Sequence, residues 1–282
     1  MKRVLFVTDL DGTLLKGDET ISEKSVDIIF SLIQQGILFT YATARAYSSA
    51  QRATEKLRLN VPVATYNGAI IINPTDKSIL ETCFIDKSTI DNIIDLLSSV
   101  PIRPIVYSLG DKNKEIVSWM SLCDTDSSGI LSFITSRNLE ITLQRAYSVE
   151  QLLSGDIYYL ASIGNEENAR RMECLFNDID GLSFTIQEDS YQDGLYWFEA
   201  FNKDATKEKS IQKLKKHVNA DKVVCFGDNL NDISMFQAAD YSIAVANAYP
   251  KLKEIANDIT LTNDLDGVAT WLLRNAKSFA FE

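Results

Sequence analysis

The chain has 282 residues, 45% hydrophobic and 24% charged, an ordinary soluble composition that is long enough for one large or two medium domains. Its formal charge of -11 weighs against a nucleic-acid partner, whose footprint is basic, and requires that any anionic substrate be drawn in by local positive charge. Asp9 interrupts the N-terminal apolar run too early for a signal-peptide core and no stretch reaches the length of a membrane span, so a cytoplasmic protein with no membrane partner is expected.

The run from Val4 reads as a short buried strand that ends in Asp9, Asp11 and Gly12. Strand side chains alternate faces, so two acids two apart start on the same side. Gly12 lets the chain turn sharply and bring its backbone close to a ligand. Asp-Gly is also a common turn dipeptide. Two acids at the end of an apolar strand repel each other unless a cation lies between them, and hard oxygen ligands suit Mg2+. In such a site one carboxylate attacks phosphorus while the other handles protons.

Ile21 to Gln35 carries Ile21, Val26, Ile29, Leu32 and Ile33 at helical spacing, and Gly36 ends it. A strand over Ile37 to Ala42 leads into Thr43-Ala44-Arg45. The Thr43 hydroxyl can hydrogen-bond a phosphate oxygen, and Arg45 can grip an anion with two prongs. A helix over Tyr47 to Leu57 and a strand over Pro62 to Tyr66 follow. Strand–helix–strand–helix–strand predicts an α/β fold, doubly wound around a parallel sheet, with ligands at the carboxyl ends of the strands.

From about Phe84 to Phe198 the rhythm changes. Segments 87–100, 102–109, 156–163, 166–176 and 182–187 read as strands of antiparallel character and at least two helices. This is an α+β domain inserted into the first, with 1–83 and 199–282 as the core and 84–198 as the insert. Cys83, Cys123, Cys174 and Cys225 show no C-x-x-C spacing, which suits isolated thiols in a reducing compartment.

Beyond the insert, Thr206 is the expected cap of a helix running to Val218. A lysine at a helix start opposes the dipole, so Lys207 needs another reason, and pairing with Asp9 and a phosphate supplies one. The single histidine, His217, lies at the far end of that helix, where a basic residue suits the dipole. A Ser-His-Asp triad is therefore not expected, and catalysis must run on carboxylates, lysine, hydroxyls and metal. The strand Val223 to Phe226 leads to Gly227-Asp228-Asn229-Leu230-Asn231-Asp232 and a helix from about Asn229. Asp228 and Asp232, four apart, share a helical face if both are helical. One can bind a metal directly and the other through water, while Asn231 orients Asp or phosphate oxygens. A strand over Ser242 to Ala246 and helices near Pro250 and Leu265 complete the chain.

The clusters Asp9-x-Asp11-Gly12-Thr13, Thr43 with its neighbours, Lys207, and Gly227-Asp228-x-x-Asn231-Asp232 resemble the four motifs of the haloacid dehalogenase-like hydrolases. Asn67-Gly68-Ala69, Ala244-Val245-Ala246-Asn247-Ala248 and Asn263-Asp264-Leu265-Asp266-Gly267-Val268 resemble the Cof-type phosphatase subfamily. The resemblance implies a Rossmann-like parallel-sheet core with an inserted α+β cap. The implied reaction is hydrolysis of phosphate monoesters of small metabolites, sugar phosphates foremost, through an aspartyl-phosphate. It makes Asp9 the nucleophile and a Mg2+ ligand, and Asp11 the general acid/base with its backbone carbonyl on the metal. Thr43 and Lys207 bind the phosphoryl group, Asp228 binds Mg2+ directly, Asp232 does so directly or through water, and Asn231 supports phosphate binding. Arg45 matches the family's arginine, with a role in substrate contact. Ala44 stands where the family often has Gly. The cap is expected to close over the core, with Tyr107, Trp119, Tyr158, Tyr196 and Trp197 either lining the cleft or packing the cap's own core. The alternatives to a phosphatase are a phosphosugar mutase and a non-catalytic phospholigand sensor.

Overall fold

The computed structural model describes residues 3–100, 103–120, 142–189 and 193–281. These fall into two units, Met1–Glu81 with Thr206–Glu282, and Thr82–Ala205. The expected boundary after Phe198 lies inside a strand, Tyr196–Asn202, that belongs to the second unit.

The first unit is built on five strands: β1 (Val4–Thr8), β2 (Leu38–Tyr41), β12 (Lys222–Gly227), β13 (Tyr241–Ala244) and β14 (Asp258–Ile259). Their order is β14-β13-β12-β1-β2, and every pairing is parallel. All five residues of β1 are buried, as a continuous apolar run in a parallel sheet should be. The chain winds from β1 to β2 on one side and returns to β12 on the other. The carboxyl ends of β1 and β12 therefore meet where the winding direction reverses, the place where such sheets bind ligands.

Register brings those ends level, with Thr8 opposite both Phe226 and Tyr41. Asp9 N then donates to Phe226 O (3.0 Å), and Ala42 N donates to Thr8 O (3.0 Å). Helix α1 (Glu23–Gln34) starts at Ser22, whose hydroxyl accepts from Ser25 N (3.0 Å), and packs beside the C-terminal helix α9 (Gly267–Phe281). Helix α2 (Tyr47–Thr54) gives way to a 3-10 turn over the last residues of the expected helix. Helix α6 (Lys207–His217) is capped by Thr206, whose hydroxyl accepts from Lys209 N (3.2 Å), and packs beside α7 (Ile233–Ala238).

A three-stranded sheet of β3 (Val63–Thr65), β4 (Ile70–Ile72) and β5 (Ile79–Thr82) joins the first unit's early segments. Sequence periodicity does not reveal β4 and β5, because β4 is a three-residue apolar run and the four residues of β5, Ile79-Leu80-Glu81-Thr82, do not alternate. His217 Nε2 lies 2.7 Å from Glu81 Oε1, so the lone histidine has an acidic partner as well as the helix end.

The second unit carries a six-stranded sheet ordered β10-β11-β9-β6-β7-β8: β6 (Ile105–Leu109), β7 (Glu115–Trp119), β8 (Thr142–Arg145), β9 (Asp156–Gly164), β10 (Leu182–Glu188) and β11 (Tyr196–Asn202). The pairings are antiparallel as expected, except that β7 and β8 run parallel. Its core gathers Ile93 and Leu97 of α3 (Lys87–Ser99), Leu152 of α4 (Val149–Leu152) and Phe176 of α5 (Glu166–Phe176) with Val106, Leu160 and Phe198 of the sheet. The five aromatics singled out from the sequence all lie on this sheet. Tyr158 is buried and donates to Glu115 (2.9 Å), and Trp197 Nε1 donates to Asp189 (2.8 Å), so both are tied into the unit's own packing. Among the described residues, Cys83, Cys174 and Cys225 are not in disulfides; Cys123 lies outside them. No described helix is long and apolar enough to cross a membrane.

Candidate active site

Asp9 follows β1 directly, and the chain then coils tightly through Leu10–Leu14. Gly12 makes the coil possible. Its φ is +71°, and a Cβ there would collide with the Asp228 carboxylate. The backbone thus brings β1's loop against the loop after β12. Thr13 consolidates the approach: its hydroxyl donates to Asp228 Oδ1 (2.8 Å). Thr13 was visible in the sequence only as part of a motif, with no role attached.

Lys207 enters from the first residue of α6. Its Nζ donates to Asp9 Oδ1 (2.7 Å) and to Asp232 Oδ1 (2.7 Å), with the three side chains only 2%, 7% and 0% exposed. This is the reason a lysine tolerates the positive end of a helix. Burial works against its charge, but the contacts to Asp232 and Asp9 outweigh burial and hold its pKa above the usual value.

Asp232 is fixed from its other oxygen, which accepts from the backbone N–H groups of Asp228 (3.0 Å) and Asn229 (3.1 Å). Asp228 precedes the short turn Leu230–Asp232 and is not helical with Asp232; this backbone link, not a shared helical face, joins them. Asn231 is half-buried on the same turn.

Carboxylate oxygens of Asp9, Asp228 and Asp232 lie within 4.8 Å of one another. Burial pushes the Asp9 carboxyl well above its usual range; Lys207 pulls it back, and Asp232, Asp228 and Asp11 push it further up. Burial, then Asp232, pushes Asp228 up to about 7, against the Thr13 hydrogen bond and Lys207. Three acids lie together with one ammonium that bonds two of them, and the excess negative charge is what a second cation would neutralise. The donors are all hard oxygens, which fits a divalent ion such as Mg2+.

Asp11 stands apart from this cluster. Arg45, on the loop after β2, donates from Nε to Asp11 Oδ2 (2.8 Å) and from Nη2 to Asp11 Oδ1 (2.5 Å). The same guanidinium reaches Glu19 (3.0 Å) and the Ser49 hydroxyl (3.2 Å). The two-pronged grip expected for an anionic ligand is made here to an acid of the protein itself. Glu19 carried no sequence signal, since it sits at φ 63° in a loop that pattern does not resolve. Thr43 is buried, and its hydroxyl accepts from Arg45 N (3.1 Å), which leaves its own proton to donate. Ala44 has no left-handed φ, so a side chain stands there without backbone strain.

The motifs near the C-terminus hold the loop that follows Asp9. Asn247 Nδ2 donates to Gly12 O (2.7 Å), Asn263 N donates to Asn247 Oδ1 (3.0 Å), and Asn263 Nδ2 donates to Leu15 O (2.9 Å).

The chain matches the haloacid dehalogenase-like hydrolases over residues 6–272 and belongs to that family. It is similar to the 5-amino-6-(5-phospho-D-ribitylamino)uracil phosphatase YitU of Bacillus subtilis, at 26% identity over 274 residues, covering 96% of this chain and 97% of the relative. It is also similar to phosphatase YwpJ of Bacillus subtilis, at 26% identity over 285 residues, covering 94% and 97%. A haloacid dehalogenase-like hydrolase from Bacteroides thetaiotaomicron has the same fold, with TM-score 0.76 at 22% identity, covering 97% of this chain and 99% of that one.

The metal-free carboxylates bind extra protons in the folded state, because their pKa values are raised above the 3.8 of the free side chain. That contribution is complete below the unfolded value and is lost as pH rises through about 7. In EDTA the melting temperature should therefore fall between about pH 5.5 and about pH 8, and added Mg2+ should shrink the fall by binding the deprotonated cluster. A melting temperature in EDTA that does not change between those pH values would contradict the assignment of buried, mutually repelling acids. Lys207→Ala leaves Asp9 and Asp232 facing each other without their shared cation. Urea unfolding near pH 8 should show a loss of about 3–5 kcal/mol, the usual cost of breaking a buried ion pair. The loss should be smaller near pH 5.5, where a proton on Asp9 takes the place of the ammonium.

Proposed function

We propose that the protein is a Mg2+-dependent phosphatase that hydrolyses phosphate monoesters of small metabolites, sugar phosphates foremost, through an aspartyl-phosphate on Asp9. The observation that carries the reading is the buried Asp9 carboxylate, held by Lys207 and bordered by Asp228 and Asp232 at metal-ligand spacing. Two curated relatives named as phosphatases support it. One is named for a phosphoribityl compound, which supports a small sugar-like substrate.

Asp9, Asp228 and Asp232, with the Asp11 backbone carbonyl, would hold the Mg2+; when bound, the ion neutralises charge on the phosphoryl oxygens. Lys207 and Thr43 bind those oxygens, with Asn231 in support. Asp9, as the carboxylate, attacks phosphorus as the bond to the leaving oxygen breaks, and Asp11, entering the step protonated, gives that oxygen its proton and becomes the carboxylate that Arg45 grips. Asp11 then takes a proton from water. The water oxygen bonds to phosphorus, the bond to Asp9 breaks, and inorganic phosphate leaves. Lys207 contributes by positioning and charge neutralisation, which dominate phosphoryl transfer. Arg45 aims Asp11 through its two hydrogen bonds to that carboxylate.

Phosphate release from a panel of phosphorylated metabolites and p-nitrophenyl phosphate tests the reading. Release should need Mg2+, stop in EDTA, and fall at least about 10³-fold in Asp9→Asn, as loss of a nucleophile does. A folded, Mg2+-binding protein that releases none would overturn it, and phosphosugar isomers in the same tubes would then identify a mutase. Arg45→Lys keeps the charge and loses the fork. It should lower kcat roughly 10–100-fold with little change in KM, as partial loss of acid–base catalysis does. A raised KM with unchanged kcat would instead assign Arg45 to substrate contact.

A further inference from the structure

We infer that the bend Tyr66-Asn67-Gly68 is a positioning element of the active site, setting Lys207 against the loop that carries Thr43. The inference rests on the phosphatase reading and deepens it. Three consecutive residues here are left-handed, at φ 51°, 55° and 95°. Only the third is a glycine. A bulky Tyr in this region is a true outlier, and both Tyr66 and Asn67 are buried. Such strain persists only where the surroundings over-determine it, and it gathers at functional sites.

The surroundings here are two segments of the site. On one side the bend is hydrogen-bonded to the loop after β2: Tyr66 N donates to Arg45 O (3.1 Å) and Asn67 N donates to Thr43 O (3.0 Å). These are the carbonyls on either side of Ala44. On the other side Gly68 presses on the first turn of α6. A Cβ at Gly68 would lie 2.9 Å from Thr206 O and 2.8 Å from Ser210 Cβ. Neither is the end of a flexible side chain, so an added methyl must move the helix start. Ser210 is bound in turn to Lys207, its hydroxyl donating to Lys207 O (2.8 Å). The bend is thus a rigid spacer between the Thr43 loop and the residue whose ammonium holds Asp9. Close packing transmits a shift on one side to the other.

Gly68→Ala tests this against Gly36→Ala. Gly36 is also left-handed, at φ 89°, but a Cβ there meets nothing within 4 Å, so its alanine variant reports backbone strain alone. Both variants should melt below the wild type. At a temperature where both are folded, Gly36→Ala should keep kcat/KM and the affinity for inorganic phosphate with Mg2+ within about twofold of the wild type. Gly68→Ala should lose about 10–100-fold in kcat/KM and about tenfold in phosphate affinity, as sub-ångström misplacement of binding groups does. A folded Gly68→Ala that matches Gly36→Ala in both readouts would overturn the inference. If Gly68→Ala does not fold, Ser210→Val thickens the same contact from the helix side and leaves the bend a glycine; it is judged by the same two readouts. A wild type that binds phosphate without hydrolysing any ester overturns the phosphatase reading alone, and phosphate affinity then decides the positioning role.

Discussion

One ammonium shared by two buried carboxylates organises this molecule. Lys207 stands at the unfavourable end of its helix and deep in the protein, and both facts are explained by Asp9 and Asp232 at 2.7 Å. Buried ion pairs add little net stability once desolvation is counted. Here the balance is worse than for a simple pair, because Asp228 adds a third acid within reach of the first two. A fold that served stability alone would fill this space with apolar side chains. What the arrangement provides is a carboxylate kept dry, oriented and short of positive charge, which suits a nucleophile that works beside a divalent cation.

The sheet explains how acids so far apart in sequence come together. β1 lies between β12 and β2 with the three strand ends level, so whatever follows each strand arrives on one edge. Asp9 and Asp228 follow their strands directly, and Thr43 comes one residue later, after Ala42. The edge alone leaves them at strand spacing, about 5 Å apart. The close approach comes from the Gly12 backbone, which no side chain keeps away from Asp228, and from Thr13, which ties the two loops through its hydrogen bond to Asp228.

Much of this was legible in the sequence because the informative signals are local. An apolar run ending in acids, a cap followed by a lysine, and a glycine between strand and helix each report on a few neighbouring residues, and the parallel topology then places them. The partner of Arg45 was not legible. Arginine's geometry predicts a two-pronged grip on some anion but not which one, and Asp11 and Glu19 lie 34 and 26 positions away in the chain. The strands Ile70–Ile72 and Ile79–Thr82 escaped because three or four residues without apolar/polar alternation carry no period. The left-handed Tyr66 escaped for a deeper reason: nothing in a tyrosine's chemistry favours that conformation, so only tertiary contacts impose it.

The second layer of the site gives the C-terminal motifs a physical meaning. Asn247 uses both ends of its amide, donating to Gly12 O and accepting from Asn263 N, while Asn263 reaches Leu15 O and Asp264 accepts from Gly17 N. A backbone turn with a left-handed glycine at its centre has little stiffness of its own, since glycine is the residue that loses most freedom on folding. Stiffness has to come from outside the turn, and these amides supply it to the carbonyls of Gly12 and Leu15. Three of these links join a residue before position 20 to one after position 246. The loop that carries Asp9 is therefore completed by the last part of the chain as well as by Asp228 and Lys207.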